Sequence, residues 1–257
     1  MKLRFLTINV HKGFSALNRR FILPRLREAV RASGADVIFL QEVVGENRRK
    51  AARRKDWPAA AQHEYLAEGS GLEHVYGRNA VYAAGHHGNA ILSRFPMQVF
   101  ERVDVSTNRF EQRGLLYCLL KPPGAPALHC VCVHLGLFSR SRKKQVGMLR
   151  DYISRHVPPA SPLVVAGDFN EWRRRQDELE TGLGMAEAGR ALTGARLPTF
   201  PAALPVLPLD RFYLRGLEPL AVGVLRSGAW KSLSDHAAVY AEAGLAAGAC
   251  QARPRAS

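Results

Sequence analysis

An α/β fold is what this sequence predicts, and three observations carry the prediction. The first forty or so residues read strand, helix, strand. The same alternation returns between Ala127 and Asp168, and no linker splits the chain into dissimilar halves.

The first strand is the β-branched, apolar run Leu3 to Val10 (LRFLTINV). Pro24 then opens a helix whose Leu26, Ala29 and Val30 share one face, and Ser33 with Gly34 closes it. Asp36 to Glu42 (DVIFLQE) is the second strand, and further strands are expected at Asn89–Leu92 and Gly114–Leu120. Along Ala127–Leu135 both alternating faces are apolar, which marks a central strand covered on both sides. A helix from about Ser141 to Arg155 places Val146, Leu149, Tyr152 and Ile153 at helical spacing, and Pro158, Pro159 and Pro162 end it before the strand Pro162–Asp168. Leu197–Pro208, with four prolines, reads as an irregular loop leading into strands at Leu209–Leu214, Leu220–Arg226 and Ala237–Ala241. Residues 1–245 are expected to form one domain, and the small, aperiodic residues 246–257 a flexible tail.

With 257 residues and 47% hydrophobic content, the chain can bury a sizeable core, which excludes disorder throughout. Its 37 Lys and Arg outnumber 22 Asp and Glu, and the formal charge of +15 favours encounter with polyanions. Nucleic acid, anionic lipid and phosphorylated metabolites all qualify. Of the four cysteines, Cys118, Cys130 and Cys132 lie in strand-like runs and read as buried thiols, poorly spaced for zinc; Cys250 lies near the C-terminus. The N-terminus lacks the apolar core of about 7–15 residues that a secretory signal needs. No run approaches the roughly 18 apolar residues of a membrane span, so a reducing, cytoplasmic setting is expected.

Polar residues collect where apolar strands stop: Asn9 after LRFLTI, Gln41 and Glu42 after DVIFL, His134 after HCVCV, and Asp168 with Asn170 after LVVAG. One such residue is usually a turn former, but four strand ends carrying them match the place where α/β folds build sites. The residue types suit one task. Glu42 supplies a hard oxygen for Mg²⁺ or Mn²⁺ and Asn9 a neutral one. His134 and His236 can stabilise phosphate oxygens or move protons, Asp168 can polarise a water or protonate a leaving oxygen, and Asn170 can orient either partner. Asp235 and His236 stand just before the final strand, and Asp210 begins the earlier strand-like DRFYL, so a carboxylate is available to orient His236.

Taken in order, INV with Asn9, LQE with Glu42, GNAILSRFP, VHL with His134, GDFN with Asp168 and Asn170, LDR with Asp210 and SDH with Asp235 and His236 resemble the motifs of the endonuclease/exonuclease/phosphatase superfamily across Lys2–Tyr240. NVHKGF, YGRNAVY and GHHGNA are similar to segments of a bacterial group within it. The resemblance implies a four-layer α/β/β/α sandwich of the DNase I-like type and a divalent-metal-dependent phosphoesterase. It implies Glu42 as the main ligand of Mg²⁺ or Mn²⁺, with Asn9 alongside and Asp235 as a further metal ligand. His134 and Asn170 would hold the phosphate, Asp168 would activate water or assist the leaving group, and His236 paired with Asp210 would stabilise the transition state or act as base. Arg113 matches a phosphate-binding arginine, although a surface arginine is the other reading. His11 and Lys12 replace the acidic residue that apurinic-site endonucleases carry after this Asn-Val; they either contact a phosphate or are merely solvated. Tyr76, Asn79, His86 and His87 receive no chemistry.

Three basic clusters follow the strand ends: Arg48–Lys55 after Glu42, Arg140–Lys144 after His134, and Arg173–Arg175 after Asn170. The second lies at a helix start, where the macrodipole disfavours cations and an external anion would relieve the conflict. Trp57 and Trp172 should lie near these residues, free to stack on a base, rest at a lipid interface or pack locally. The reading is a phosphodiesterase acting on nucleic acid. An anionic phospholipid or its headgroup is the alternative substrate, and a non-catalytic polyanion-binding module is a third reading.

Overall fold

The computed structural model of the protein describes residues 1–172 and 178–245. Strand β1 (Lys2–Asn9), helix α1 (Leu23–Ala32) and β2 (Val37–Asn47) lead into short helices α2 (Arg48–Arg53) and α3 (Gln62–Ala67) and the hairpin of β3 (Glu73–Tyr82) and β4 (Gly85–Ser93). Next come β5 (Met97–Asp104), β6 (Gly114–Leu120), β7 (Leu128–His134), α4 (Ser139–His156) and β8 (Leu163–Asp168). Helix α5 (Glu178–Leu183), β9 (Ala186–Glu187), α6 (Ala188–Thr193) and β10 (Asp210–Arg215) follow, and the chain ends in β11 (Leu217–Leu225) and β12 (Ala238–Leu245). They build two six-stranded sheets, ordered β11-β12-β1-β2-β4-β3 and β5-β6-β7-β8-β10-β9. The basic run Arg173–Arg175, Cys250 and the expected tail 246–257 lie outside the described residues.

Alternation along the strands makes the layers. On β1, Leu3 and Phe5 face the second sheet, where they meet Leu116, Cys130, Val164 and Phe212. Leu6 and Ile8 face the other way, onto Leu23, Leu26 and Val30 of α1. The second sheet repeats the arrangement, with Val131, Val133 and Val165 covered by Leu149 and Ile153 of α4. Every central strand is therefore buried on both faces, which is why its sequence reads as a continuous apolar run. Truncating a side chain such as Leu149 to Ala would cost about 2–5 kcal/mol. Cys118, Cys130 and Cys132 are free thiols in the inter-sheet core, where burial pushes Cys118 and Cys132 up to about 12 and keeps them protonated.

Pairing directions bring the chemistry to one end. β1 and β2 are parallel, as are β7 and β8, so Asn9 at the end of β1 lies beside Gln41 of β2, and His134 and Asp168 end their strands side by side. β10 runs antiparallel to β8 with Asp210 opposite Asp168. Three strands escaped the sequence reading, all of them sheet edges: β9 is only two residues long, and β3 and β5, the latter exposed along most of its length, do not present the apolar pattern that betrays a strand. β2 also runs five residues past Glu42, with its pairing to β4 shifted between Leu40 and Val43.

Candidate active site

Asp168 lies at the centre of the residues that the strand ends gather. It is buried; its Oδ1 accepts the backbone N–H of Asn170 (2.9 Å) and its Oδ2 the amide of Asn9 (3.2 Å). That same Oδ2 is 3.5 Å from Nε2 of His134 and 3.8 Å from Nε2 of His236. Burial raises the Asp168 carboxyl, His236 opposes the rise and the neighbouring Asp210 adds to it.

The two histidines are driven apart. Burial and the Arg113 charge hold His134 well below the usual histidine range, so it is a neutral imidazole. Burial also works against charge on His236, but Asp210 and Asp168 overcome it and raise His236 to about 10. Asp210 Oδ2 accepts from His236 Nδ1 at 2.9 Å and from the Thr199 hydroxyl at 2.6 Å. Thr199 in turn accepts the backbone N–H groups of Leu209 and Asp210, which welds the proline-rich loop to β10. Sequence reasoning passed over Thr199 because it stands alone in an irregular segment. It also passed over Ser234, whose hydroxyl donates to the carbonyl of Asn9 at 2.6 Å and so fixes the His236 loop to the end of β1.

Glu42 stands across Asn9 from Asp168, with the Asn9 amide 3.4 Å from its Oε1. Burial would raise its carboxyl, but the Lys12 ammonium, 3.1 Å from Oε2, opposes the rise and holds it below the usual carboxylate range. Asn9 turns its nitrogen towards the carboxylates because its Oδ1 accepts the N–H of His11 at 3.0 Å. An exchange of the two ends of that amide would be needed for the expected oxygen ligand. Asp235 lies 3.5 Å from His11. Asn170 donates to the Leu135 carbonyl at 2.9 Å, and Arg113 donates to the same oxygen at 3.1 Å as well as to Glu111. Arg113, Lys12, Glu42 and His87 line one open groove of about 820 Å³, which gives His87 a place the sequence did not suggest.

The residues fit a hard divalent cation at Glu42. Its Oε2 is buried, has no hydrogen-bond donor and is met only by the Lys12 charge. A tighter trio, Asp168, Asp210 and His236, brings three possible ligand atoms within 4.8 Å of one another. There His236 is hydrogen-bonded to Asp210 and raised by both carboxylates, so the trio also suits a shared proton.

Several site residues adopt left-handed backbone conformations: His11 (φ 45°), Lys12 (φ 56°), Glu42 (φ 57°) and Asn170 (φ 49°). Non-glycine residues rarely take this conformation, and such strain clusters where side chains must be aimed. The basic clusters are partly self-satisfied. Arg142 is buried and pairs with Glu171 and the carbonyls of Gly136 and Leu137, so it answers the helix-start conflict internally. Arg48 pairs with Glu46, and Arg54 with Asp56. Trp57 stacks on Phe21, and Trp172 lies under Arg142; both pack locally beside basic residues.

A model of the endonuclease/exonuclease/phosphatase family matches residues 6–236. The chain belongs to that family. A protein of Escherichia coli (strain K12), YbhP, is 44% identical over 241 residues, covering 93% of this chain and 95% of its own. Among solved structures, a family member from Beutenbergia cavernae superposes with a TM-score of 0.72 at 21% identity, over 95% of this chain and 72% of that one. D. rerio TDP2 in complex with a single-strand DNA product gives 0.69 at 19% identity, over 95% and 99%. The DNase I-like α/β/β/α architecture follows, as does phosphoester hydrolysis as the chemistry general to the family.

Proposed function

We propose that the protein is a divalent-metal-dependent phosphodiesterase. The observation that carries this reading is the pairing of a buried carboxylate, Asp168, with one neutral and one charged histidine, beside an ionised Glu42. Asp168, raised by burial, takes the proton of the attacking water as its oxygen adds to phosphorus. The His236 imidazolium, held by Asp210, meets the charge that builds on the phosphoryl oxygens and can return a proton to the departing alkoxide as the P–O bond breaks. His134 and Asn170 orient the phosphate, and Arg113 with Lys12 adds positive charge at the groove they line. Mg²⁺ or Mn²⁺, held by Glu42 with Asn9 and Asp235 nearby, would supply Lewis-acid neutralisation of the phosphate.

The TDP2 neighbour was solved with a single-strand DNA product, which supports a nucleic-acid phosphoester as one candidate substrate, and the overall charge of +15 suits any polyanion. The reading is tested with a small soluble diester, bis(p-nitrophenyl) phosphate, and Mn²⁺ or Mg²⁺. Turnover should vanish on chelation, fall by about 10³-fold or more in Asp168→Asn and lose its metal stimulation in Glu42→Gln. Metal-independent turnover, or full activity in both variants, would remove these residues from the chemistry.

A further inference from the structure

About half of the exposed large apolar side chains share one end of the molecule, while others, such as Val99 and Phe100 on β5 and Leu220 on β11, stand elsewhere. Beyond β1, Leu17 is 74% exposed, and the β3–β4 turn presents Val81 and Tyr82. The β5–β6 connection carries Phe110, 85% exposed, and the segment between β7 and α4 carries Leu137 and Phe138. The proline-rich loop before β10 adds Leu204, 70% exposed, and Val206. Every one of these connections leaves the sheets at the end where Asn9, Glu42, His134, Asp168 and Asp210 lie, because the strands they join pair in register with the catalytic ones: Gly85 opposite Asn47, Leu115 opposite Val133, and Asp210 opposite Asp168. Such side chains cost solvation free energy where they stand, and clustering at one end marks a surface that meets something apolar.

Positive charge is interleaved with them. Arg19 and Arg20 follow Leu17, Arg109 lies against the Phe110 ring, and Arg140, Lys143 and Lys144 are exposed just beyond Phe138. Apolar tips flanked by Lys and Arg at one end of a fold match the chemistry of a lipid surface, where the tips enter the acyl boundary and the cations meet anionic headgroups. A nucleic-acid track would call for π-faces. Five of the tips, Leu17, Val81, Leu137, Leu204 and Val206, are aliphatic and have none to offer a base.

We propose that this end of the molecule docks on anionic phospholipid and that the diester cleaved in the groove belongs to a lipid of that surface. The inference rests on the phosphodiesterase reading for the cleavage and on the loops alone for the docking. In the step itself the water oxygen bonds to phosphorus, one ester P–O bond breaks, and the alcohol leaves with a proton.

The test compares the protein with Leu17→Ser/Leu204→Ser/Val206→Ser, whose residues lie outside the groove and the catalytic set. Sedimentation with vesicles of phosphatidylglycerol and phosphatidylcholine should capture the wild type, whereas pure phosphatidylcholine should not. The triple variant should lose about tenfold or more of the binding and of phosphatidylglycerol hydrolysis, while its turnover of bis(p-nitrophenyl) phosphate stays unchanged. Wild type that ignores anionic vesicles, a triple variant that binds them normally, or preferential cleavage of a single-stranded oligonucleotide would each overturn the proposal. Vesicle binding without any turnover of the soluble diester would instead sink the phosphodiesterase reading and leave the docking surface standing.

Discussion

Replacing Asp210 with Asn tests the division of labour between the two histidines. The substitution keeps the shape of the side chain and an oxygen for the Thr199 hydroxyl, but removes the charge that does most to raise His236. Burial then pulls the imidazole down, Asp168 and Asp235 still pull it up, and the group should return to the neighbourhood of its ordinary 6.5 from about 10. At pH 8 a group titrating at about 10 is about 99% protonated and one at 6.5 about 3%, so some 30-fold of the imidazolium disappears. With Mn²⁺ and the soluble diester, kcat at pH 8 should fall by about that factor or more, and the loss should shrink as pH falls towards 6. Histidine proton resonances followed by NMR in the metal-free protein should show one imidazole moving its titration down by about three pH units. A kcat profile parallel to wild type, or an imidazole still titrating near 10, would refute the claim that Asp210 sets the charge of His236.

Two further outcomes follow from the same geometry. Gly167 has φ 141°, and a Cβ there would be driven into the carbonyl oxygen of Val133 on the adjacent strand, so Gly167→Ala should cost about 3 kcal/mol or more and lower the melting temperature by about 6 °C or more. A melting temperature equal to wild type would mean that β7 and β8 are not so closely apposed. His236 titrates higher in the fold than its ordinary value, so its stabilising contribution is complete below pH 6.5 and is lost as pH rises to about 10. The metal-free protein should melt progressively lower across that window and His236→Gln should flatten the slope; an equal slope in both would assign it to other groups.

The apolar strands and the two long helices were legible because burial on both faces, or on one helical stripe, writes a pattern that survives in the sequence. α1 was expected to open at Pro24 and to bury Leu26, Ala29 and Val30; it begins one residue earlier, at Leu23, and buries all three. α4 was expected to turn Leu149, Tyr152 and Ile153 inward, and its span differs by only a residue or two at each end. The gathering of polar residues at one end was legible for a related reason: Asn9, His134 and Asp168 each end an apolar strand, whereas Glu42 stands inside β2, five residues before its end. What the sequence hid depends on long-range geometry. Thr199 and Ser234 act through partners 11 and 225 positions away. Arg142 read as a free cation in a basic run, yet it is buried against Glu171, and only the path of the chain after β8 supplies that partner. The apolar tips were invisible as a group because each is a single residue in a different loop.

The strained backbone ties these levels together. A left-handed conformation at a residue other than glycine costs of order 1–3 kcal/mol, and four of the site residues adopt it. Each is held by something local. The N–H of His11 is tied to Asn9, and that of Asn170 to Asp168. Lys12 gives its carbonyl to the Gln62 amide, and Glu42 lies where β2 shifts register against β4. Gln62 also accepts the N–H of Val44, so one buried side chain from α3 braces both the Lys12 turn and the strand that carries Glu42. The Lys12–Glu42 pair therefore stands on a support built from a helix that contributes nothing to the chemistry. Such a support lets two residues with unfavourable backbones face each other at 3.1 Å while the cores on either side of the sheet remain apolar.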